Sequence, residues 1–371
     1  MYYTHARTAV RKAFADALLG FFDREKRDLP WRRRPSAYYT LVSELMLQQT
    51  VVATVIPYFH RFTARFPDLA TLAAAEEGEV LAHWSGLGYY ARGRNLHRAA
   101  RAVVDAHGGE LPADEAALLE LPGVGPYTAA AIAAIAFGIR TFPLDGNGAR
   151  VFARVFDERG AIDLPKVREG LRSRALALVP EARPGDFAQA VMDLGATVCT
   201  PTSPECGRCP VSRHCAGFRA GRAAELPVRT ERKAKRVLEW VGVVGTDRER
   251  LLVVARPDKG LLAGTFAPII GDGSEPADAL AAVTAAGLEI VGEPKRQGTY
   301  RHVFTHLDVT VTVFAAKVRG KLPVGATWIS AGEAPNVALA TFTRKALALV
   351  GYEGPRRAPQ RKARMASPAT T

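Results

Sequence analysis

The hydrophobic period is helical up to about residue 237 and mixed beyond it, and that change restricts the fold more than any other feature. A period near 3.6 buries one face of a helix, and a period of two buries one face of a strand; neither pattern can serve as the other. Before the change, helical patterns run through Thr40–Phe59, Ala113–Glu120, Tyr127–Phe137, Ala149–Phe156, Val167–Leu178 and Phe187–Val198. Turn residues punctuate them at Pro35, Phe66-Pro67, Gly108-Gly109 and Asp145-Gly146-Asn147-Gly148. Met1–Arg27 reads as an amphipathic helix whose apolar side is Phe14, Leu18, Phe21 and Phe22. After the change, Val237–Gly245, Leu251–Ala255, Gly298–Phe304 and Leu307–Val318 are β-branched and alternating. Pro276–Ala286 and Thr343–Gly351 are helical in pattern. The expectation is a multidomain chain: an all-α domain over residues 1–216, then an α+β domain over residues 237–352. A length of 371 residues suits two domains.

Net charge divides unevenly along the same boundaries. Residues 1–216 hold 26 basic and 23 acidic side chains, and residues 237–354 balance to zero. Most of the net +13 lies in residues 217–236 and 355–371, at +5 each. The first stretch lacks an apolar period and reads as a basic interdomain linker. Residues 353–371 have almost nothing to bury and read as a disordered basic tail. Such runs are either solvated, solubilising charge or a sequence-independent attraction for phosphates. The longest apolar stretch, Thr128–Ile139, falls far short of the roughly 20 residues of a bilayer span. No membrane partner is expected, and the N-terminus does not read as a signal peptide. The expected location is cytoplasmic, and the expected state is a monomer.

All four cysteines, Cys199, Cys206, Cys209 and Cys215, lie within 17 positions, directly after a helical pattern. Structural disulfides are rare in a cytosolic chain, so the spacing points to a thiolate metal centre. Zinc sites usually show two tight C-x2-C pairs, and this run has one. Four thiolates in one loop also suit a 4Fe–4S cluster. Both readings stand on spacing alone.

Leu121-Pro122-Gly123-Val124-Gly125-Pro126-Tyr127 lies between two short helical segments, in a helix-hairpin-helix pattern over residues 113–137. Gly123, Val124 and Gly125 let backbone amides approach a ligand closely, and amides at a helix N-terminus attract anions. The arrangement suits a DNA backbone held without reading its sequence.

Together the hairpin, an aspartate some 20 residues on and the cysteine loop at 199–215 resemble the endonuclease III superfamily of base-excision glycosylases. Within it, Ser43-Glu44-Leu45-Met46-Leu47-Gln48-Gln49-Thr50 and Gly86-Leu87-Gly88-Tyr89-Tyr90-Ala91-Arg92 resemble adenine DNA glycosylases of the MutY type. The resemblance implies a 4Fe–4S cluster on the four cysteines. It also implies removal of adenine mispaired with 8-oxoguanine, or with guanine, in duplex DNA.

Such hydrolysis needs a proton for the leaving base and a negative charge beside the oxocarbenium-like sugar. The resemblance gives the first task to Glu44, whose helical face with Leu41, Leu47, Gln48 and Val51 should raise its pKa. It gives the second to Asp145, which by sequence alone reads as a helix N-cap, and it adds Asn147 as a helper. Gly148 departs from the larger apolar residue expected there. Tyr127 occupies the position where strand-cutting relatives carry a Schiff-base lysine. The implied enzyme is therefore monofunctional, with Tyr127 packing against or hydrogen-bonding the sugar.

A base must leave the duplex before this chemistry. Gln49 and Tyr89 match positions that enter the base stack, with Gln48 beside them. Trp31 and Arg32 match the part of the pocket that lines adenine. Arg92, Arg94, Arg98 and Arg101 are candidate phosphate contacts or a solvated face. Residues 237–350 resemble the Nudix-like domain of the same enzymes, on Arg256-Pro257 and Gly260-Leu261-Leu262-Ala263-Gly264. Residues 271–292 contain no REx2EE run, so pyrophosphate hydrolysis is not expected. Phe304, Thr305 and His306 match a Phe-Ser-His loop for 8-oxoguanine, with a hydroxyl retained. Two alternatives remain at this stage: a related mismatch or oxidised-pyrimidine glycosylase, and a non-enzymatic iron–sulfur DNA sensor.

Overall fold

The computed structural model describes residues 2–231, 234–257, 259–330, 332–333 and 337–352. The tail expected over residues 353–371 lies outside them. The chain divides into two compact units, residues 1–234 and 235–371.

The first unit is helical and has two apolar clusters. One gathers Trp31, Leu41, Leu45, Phe62, Trp84, Leu96 and Ile132. They come from the helices Pro30–Arg33, Ala37–Leu47, Val52–Arg65, Glu77–Trp84, Ala91–His107 and Pro126–Phe137. The other gathers Phe14, Leu18, Phe142, Phe152, Phe187 and Leu194. It joins the N-terminal helix Tyr2–Glu25 to Gly146–Val155, Pro165–Leu176 and Pro184–Thr197. The four apolar residues read from the N-terminal pattern, Phe14, Leu18, Phe21 and Phe22, are all buried here.

The pattern over Thr40–Phe59 does not form one helix. Ser36 caps Ala37–Leu47 by accepting from Tyr39 N at 3.0 Å. That helix ends at Gln48, and a second begins at Val52. Gln49 between them has φ 57°, and Val51 is 70% exposed. Val51 therefore does not share Glu44's face. The cause is tertiary: the buried Arg92 guanidinium donates to the carbonyls of Leu45 and Met46 at 2.9 and 2.8 Å, and to that of Gln48. Those carbonyls gain partners that a continuing helix would otherwise supply.

Residues 217–236 are not wholly an unstructured linker. Ala216–Arg219 makes a helical turn, and Gly217, Ala223 and Leu226 are buried. Arg154 Nε donates to Leu226 O at 2.8 Å, Ile162 N to Val228 O at 3.0 Å, and Thr230 N to Asp163 Oδ1 at 3.0 Å. A few apolar residues without any period suffice when the segment folds back on a surface through short turns.

The second unit is built on a seven-stranded mixed sheet among the described residues. Its strands are β1 (Arg236–Asp247), β2 (Arg250–Ala255), β3 (Phe266–Ala267), β4 (Ile269–Asp272), β5 (Glu289–Val303), β6 (Leu307–Arg319) and β7 (Ala326–Ile329). The order is β3-β2-β1-β6-β5, with β4 on β1 and β7 on β2. β1 and β6 run parallel, from Arg236 opposite Leu307 to Gly245 opposite Ala316. Alternation sends Val241 and Val243 to one face, under the helix Pro276–Ala285. It sends Val244, with Val309, Val311 and Val313, to the other face, under Thr341–Leu349. Asp278, the one acid on Pro276–Ala285, is occupied in the helix cap, accepting from Ser274 N and Glu275 N at 2.9 Å each. Among the described residues, no helix is long and apolar enough to cross a membrane.

Helices Pro126–Phe137 and Pro184–Thr197 approach closely at Gly185. A Cβ there would sit 2.6 Å from the carbonyl oxygen of Ala134 and 2.8 Å from Ile135 Cα. Both obstacles are backbone, so the helices would have to separate. Gly185→Ala should lower stability by about 1–3 kcal/mol, the usual cost of overpacking. A lowered chemical-denaturation midpoint with an unchanged slope is the expected result.

Candidate active site

Glu44 stands in the last turn and a half of Ala37–Leu47, a helix that puts every residue from Thr40 to Met46 out of solvent. The residue is 7% exposed. Burial pushes its pKa up to about 7, and the nearby Asp145 charge adds to the rise. A hydrogen bond from the Tyr127 side chain and the Arg32 charge pull the other way without cancelling it. Tyr127 occupies the first turn of Pro126–Phe137. Burial raises its phenol well above the ordinary value, and the charges of Glu44 and Asp145 raise it further. The phenol thus stays protonated and donates to Glu44.

Asp145 is the N-cap of Gly146–Val155, its Oδ1 accepting from Gly148 N at 2.6 Å. The cap reading and proximity to Glu44 both hold. Gly148 fits this cap closely: a Cβ would lie 3.2 Å from Asp145 Oδ1. Asn147 does not point at Glu44 through any hydrogen bond; its Oδ1 accepts from Arg150 Nη2 at 2.8 Å. Arg150 also donates to Gly195 O at 2.7 Å and Cys199 O at 2.9 Å. Arg154, one turn on, donates to Cys199 Sγ at 3.3 Å and Thr200 O at 2.7 Å. One helix therefore carries the aspartate at its start and grips the cysteine loop along its side.

A cavity of about 520 Å³ opens beside Glu44. That is within the roughly 300–1,000 Å³ of small-molecule sites. Trp31, Arg32, Ser43 and Leu47 line it, with Ile135, Gln189 and Met192 from the two closely packed helices. Trp31 is held edge-on to Phe59 at 5.3 Å. Arg32 is held by the buried Asp193, through Nη1 to Oδ2 at 2.7 Å and Nη2 to Oδ1 at 3.1 Å. Arg27 Nε also donates to Asp193 Oδ1, at 2.7 Å. Flanking charges keep the Asp193 carboxyl below its usual value even though burial opposes this. Asp193 was not anticipated from sequence. The available signal was a lone acid inside the apolar run Ala190-Val191-Met192-Asp193-Leu194.

Gln48 Nε2 meets Thr128 Oγ1 at 3.4 Å, joining the glutamate helix to the hairpin's second helix. Gln49 and Tyr89 are exposed, Tyr89 by 56%. In the hairpin, Gly123 is exposed with φ 78° and Gly125 caps Pro126–Phe137, while Val124 is buried in the first apolar cluster. A Cβ at Gly123 would lie 2.5 Å from Asn95 Cβ, so only glycine fits. Arg92 and Arg94 are buried, at 7% and 5%, and are not the surface phosphate contacts their helical spacing suggested. Arg98 and Arg101 remain exposed.

The four cysteines line one pocket with Val151, Arg154, Leu194 and Val198. Burial raises the thiols of Cys206 and Cys215, and that of Cys209 to about 11, and neighbouring cysteines contribute. Among the described residues, no three His, Cys, Asp or Glu side chains are grouped to hold a single metal ion.

In the second unit, Phe304-Thr305-His306 forms the tight connection between β5 and β6, not strand. Phe304 N donates to Leu307 O at 2.8 Å, and Lys235 Nζ donates to Phe304 O at 2.8 Å. The Phe304 ring is anchored by His302 at 4.5 Å and Phe342 at 5.7 Å. Thr305 and His306 are exposed.

Comparison with known proteins agrees with this geometry. Residues 42–175 match the family described as HhH-GPD superfamily base excision DNA repair protein, and residues 240–349 match the NUDIX domain. The chain is 37% identical to the adenine DNA glycosylase of Homo sapiens, over 92% of this chain and 74% of that one. It is 38% identical to that of Rattus norvegicus, over 93% and 79%. Among solved structures, a thermostable thymine-DNA glycosylase is similar at TM-score 0.53 and 31% identity, over 58% of this chain and 99% of that one.

The raised carboxyl has a consequence for stability. Folding lifts the Glu44 pKa from an ordinary 4.5 to about 7. The contribution of the protonated form is complete below about 4.5 and is lost as pH rises through about 7. Ionised Glu44 then costs the fold about 3 kcal/mol. Glu44→Gln should therefore raise the melting temperature at about pH 8 and change it little at about pH 5. Equal shifts at both would show that Glu44 is not neutral in the fold.

Proposed function

The chain belongs to the adenine DNA glycosylases of base excision repair, and from that premise we propose that it hydrolyses the N-glycosidic bond of adenine mispaired with 8-oxoguanine or guanine in duplex DNA, without cutting the strand. The observation that carries this reading is the buried Glu44 carboxyl, raised to about 7, hydrogen-bonded by Tyr127 and lining a cavity of about 520 Å³. A carboxylic acid that keeps its proton near neutrality can give it to a departing purine. Asp145 supplies the opposite charge for the sugar cation. Its Oδ1 is tied to the helix amide, which orients the second oxygen. Asn147 steadies this turn through Arg150. Trp31 and Arg32 form the adenine wall, the latter fixed by Asp193.

No lysine stands where a Schiff base would form; Tyr127 is there, and its phenol is engaged with Glu44. Hydrolysis without β-elimination follows. Gln49 and Tyr89 are the side chains that enter the stack as the base leaves it. Gly123, Val124 and Gly125 hold the DNA backbone through their amides. Phe304, Thr305 and His306 read the base opposite adenine, because an anchored aromatic presents a hydroxyl and an imidazole to solvent at one turn.

Four thiols gathered at one pocket suit a 4Fe–4S cluster. Arg154, donating to Cys199 Sγ, is suited to a bound thiolate. When bound, the cluster would cross-link the loop within itself through four thiolates, while Arg150 and Arg154 hold it against Gly146–Val155.

Purified protein should release adenine from an adenine:8-oxoguanine duplex under single-turnover conditions, leaving an intact abasic strand until alkali is added. The rate should fall as pH rises through about 7, the sense required of an acid. Glu44→Gln should abolish release and retain binding. An intact duplex after incubation with wild-type protein would sink the reading, and strand nicking without alkali would remove its monofunctional part. Visible absorption is expected of the protein, since zinc is d10 and absorbs none; a colourless protein with one zinc per chain would exclude the cluster.

A further inference from the structure

Among the described residues, five non-glycine residues adopt the left-handed backbone region, and two of them, Gln49 (φ 57°) and Tyr89 (φ 49°), depend on one guanidinium. Arg92 Nη1 donates to the carbonyls of Leu45, Met46 and Gln48. Arg92 Nη2 donates to Thr50 Oγ1 at 3.1 Å, Leu87 O at 3.3 Å and Gly88 O at 3.0 Å. Its acceptors thus flank Gln49 on both sides and reach the residue before Tyr89. The guanidinium carbon lies 5.4 Å from the Tyr89 ring centre and 5.5 Å from that of Trp84. Trp84 Nε1 reinforces the second loop by donating to Gly88 O at 3.2 Å. Gln49 and Tyr89 project outward into solvent from this buried cation.

Left-handed non-glycine residues persist only where their surroundings over-determine them, and they concentrate at functional positions. Here the surroundings are a single planar fork spanning two loops 40 residues apart in sequence. We propose that Arg92 is a positioning residue that locks Gln49 and Tyr89 at a set separation, as a two-pronged wedge formed before DNA arrives. Prongs ordered in advance lose less conformational entropy when they enter the stack, so more of the binding energy goes into extruding the base. Lysine cannot substitute, because a point ammonium lacks the fork that reaches both loops at once. The inference rests on the reading above that Gln49 and Tyr89 enter the duplex.

The experiment compares Arg92→Lys with wild type in single-turnover adenine release on two duplexes of one sequence. In the first, adenine is stacked in the 8-oxoguanine mispair; in the second, it lies in an unpaired bubble that needs no wedge. The variant should lose about tenfold or more on the mispair and stay within about threefold of wild type on the bubble. Equal losses on both duplexes would mean that Arg92 serves the Glu44 helix instead, and no loss on the mispair would mean it serves neither; either result overturns the proposal. If Arg92→Lys does not fold, Thr50→Val removes one acceptor and should give a smaller loss confined to the mispair. An equal or absent loss there overturns the proposal in the same way. Failure of wild type on both duplexes would instead overturn the base-release reading beneath it.

Discussion

A carboxyl kept out of water organises the helical unit. Glu44 keeps its proton up to about pH 7 because burial outweighs both the Tyr127 hydrogen bond and the Arg32 charge. To bury it, Ala37–Leu47 must present nearly its whole surface to neighbouring helices. Pro126–Phe137 must then bring Tyr127 to one side, and the cap of Gly146–Val155 must bring Asp145 within electrostatic reach. Two carboxyl groups with different surroundings thereby come together, the pairing on which the proposed hydrolysis relies.

Around that centre, buried arginines act as structural clamps. Arg92 ties the end of the glutamate helix to the Tyr89 loop, Arg150 ties Asn147 to the cysteine loop, and Arg154 holds that loop and the segment after it. Their acceptors are almost all backbone carbonyls, groups that would otherwise be buried unpaired at helix ends and in irregular loops. Net charge therefore says little about how this unit holds DNA. Residues 1–216 carry nearly balanced charge, and several of their arginines face inward. Most of the excess positive charge belongs to stretches between and after the two domains.

Misreadings of the sequence share one cause. Helical spacing placed Arg92 and Arg94 with Arg98 and Arg101 on a candidate phosphate face, but spacing cannot say whether a guanidinium turns outward or finds carbonyls inside. The same blindness joined Thr40 to Phe59 in one helix, because the break at Gln48–Val51 is made by a side chain more than 40 residues away. Residues 217–236 lacked a period and so resembled a free linker, yet a succession of short turns buries Ala223 and Leu226 without any period. Asp193 left a readable trace as an acid among apolar neighbours, though its partners Arg27 and Arg32 lie over 160 positions away.

The sequence by itself determined the two architectures, since the hydrophobic period decides which face of each element can be buried. It also determined the residue types at the site: a glutamate in an apolar helix, an aspartate at a helix start, a tyrosine where an amine would be needed, and four clustered thiols. Only the tertiary structure decided that Glu44 keeps its proton, that Asp145 and Tyr127 meet it, and that Arg92 holds two loops at once. A pKa, a hydrogen bond and a left-handed turn each depend on what long-range packing removes from water or brings within about 3 Å.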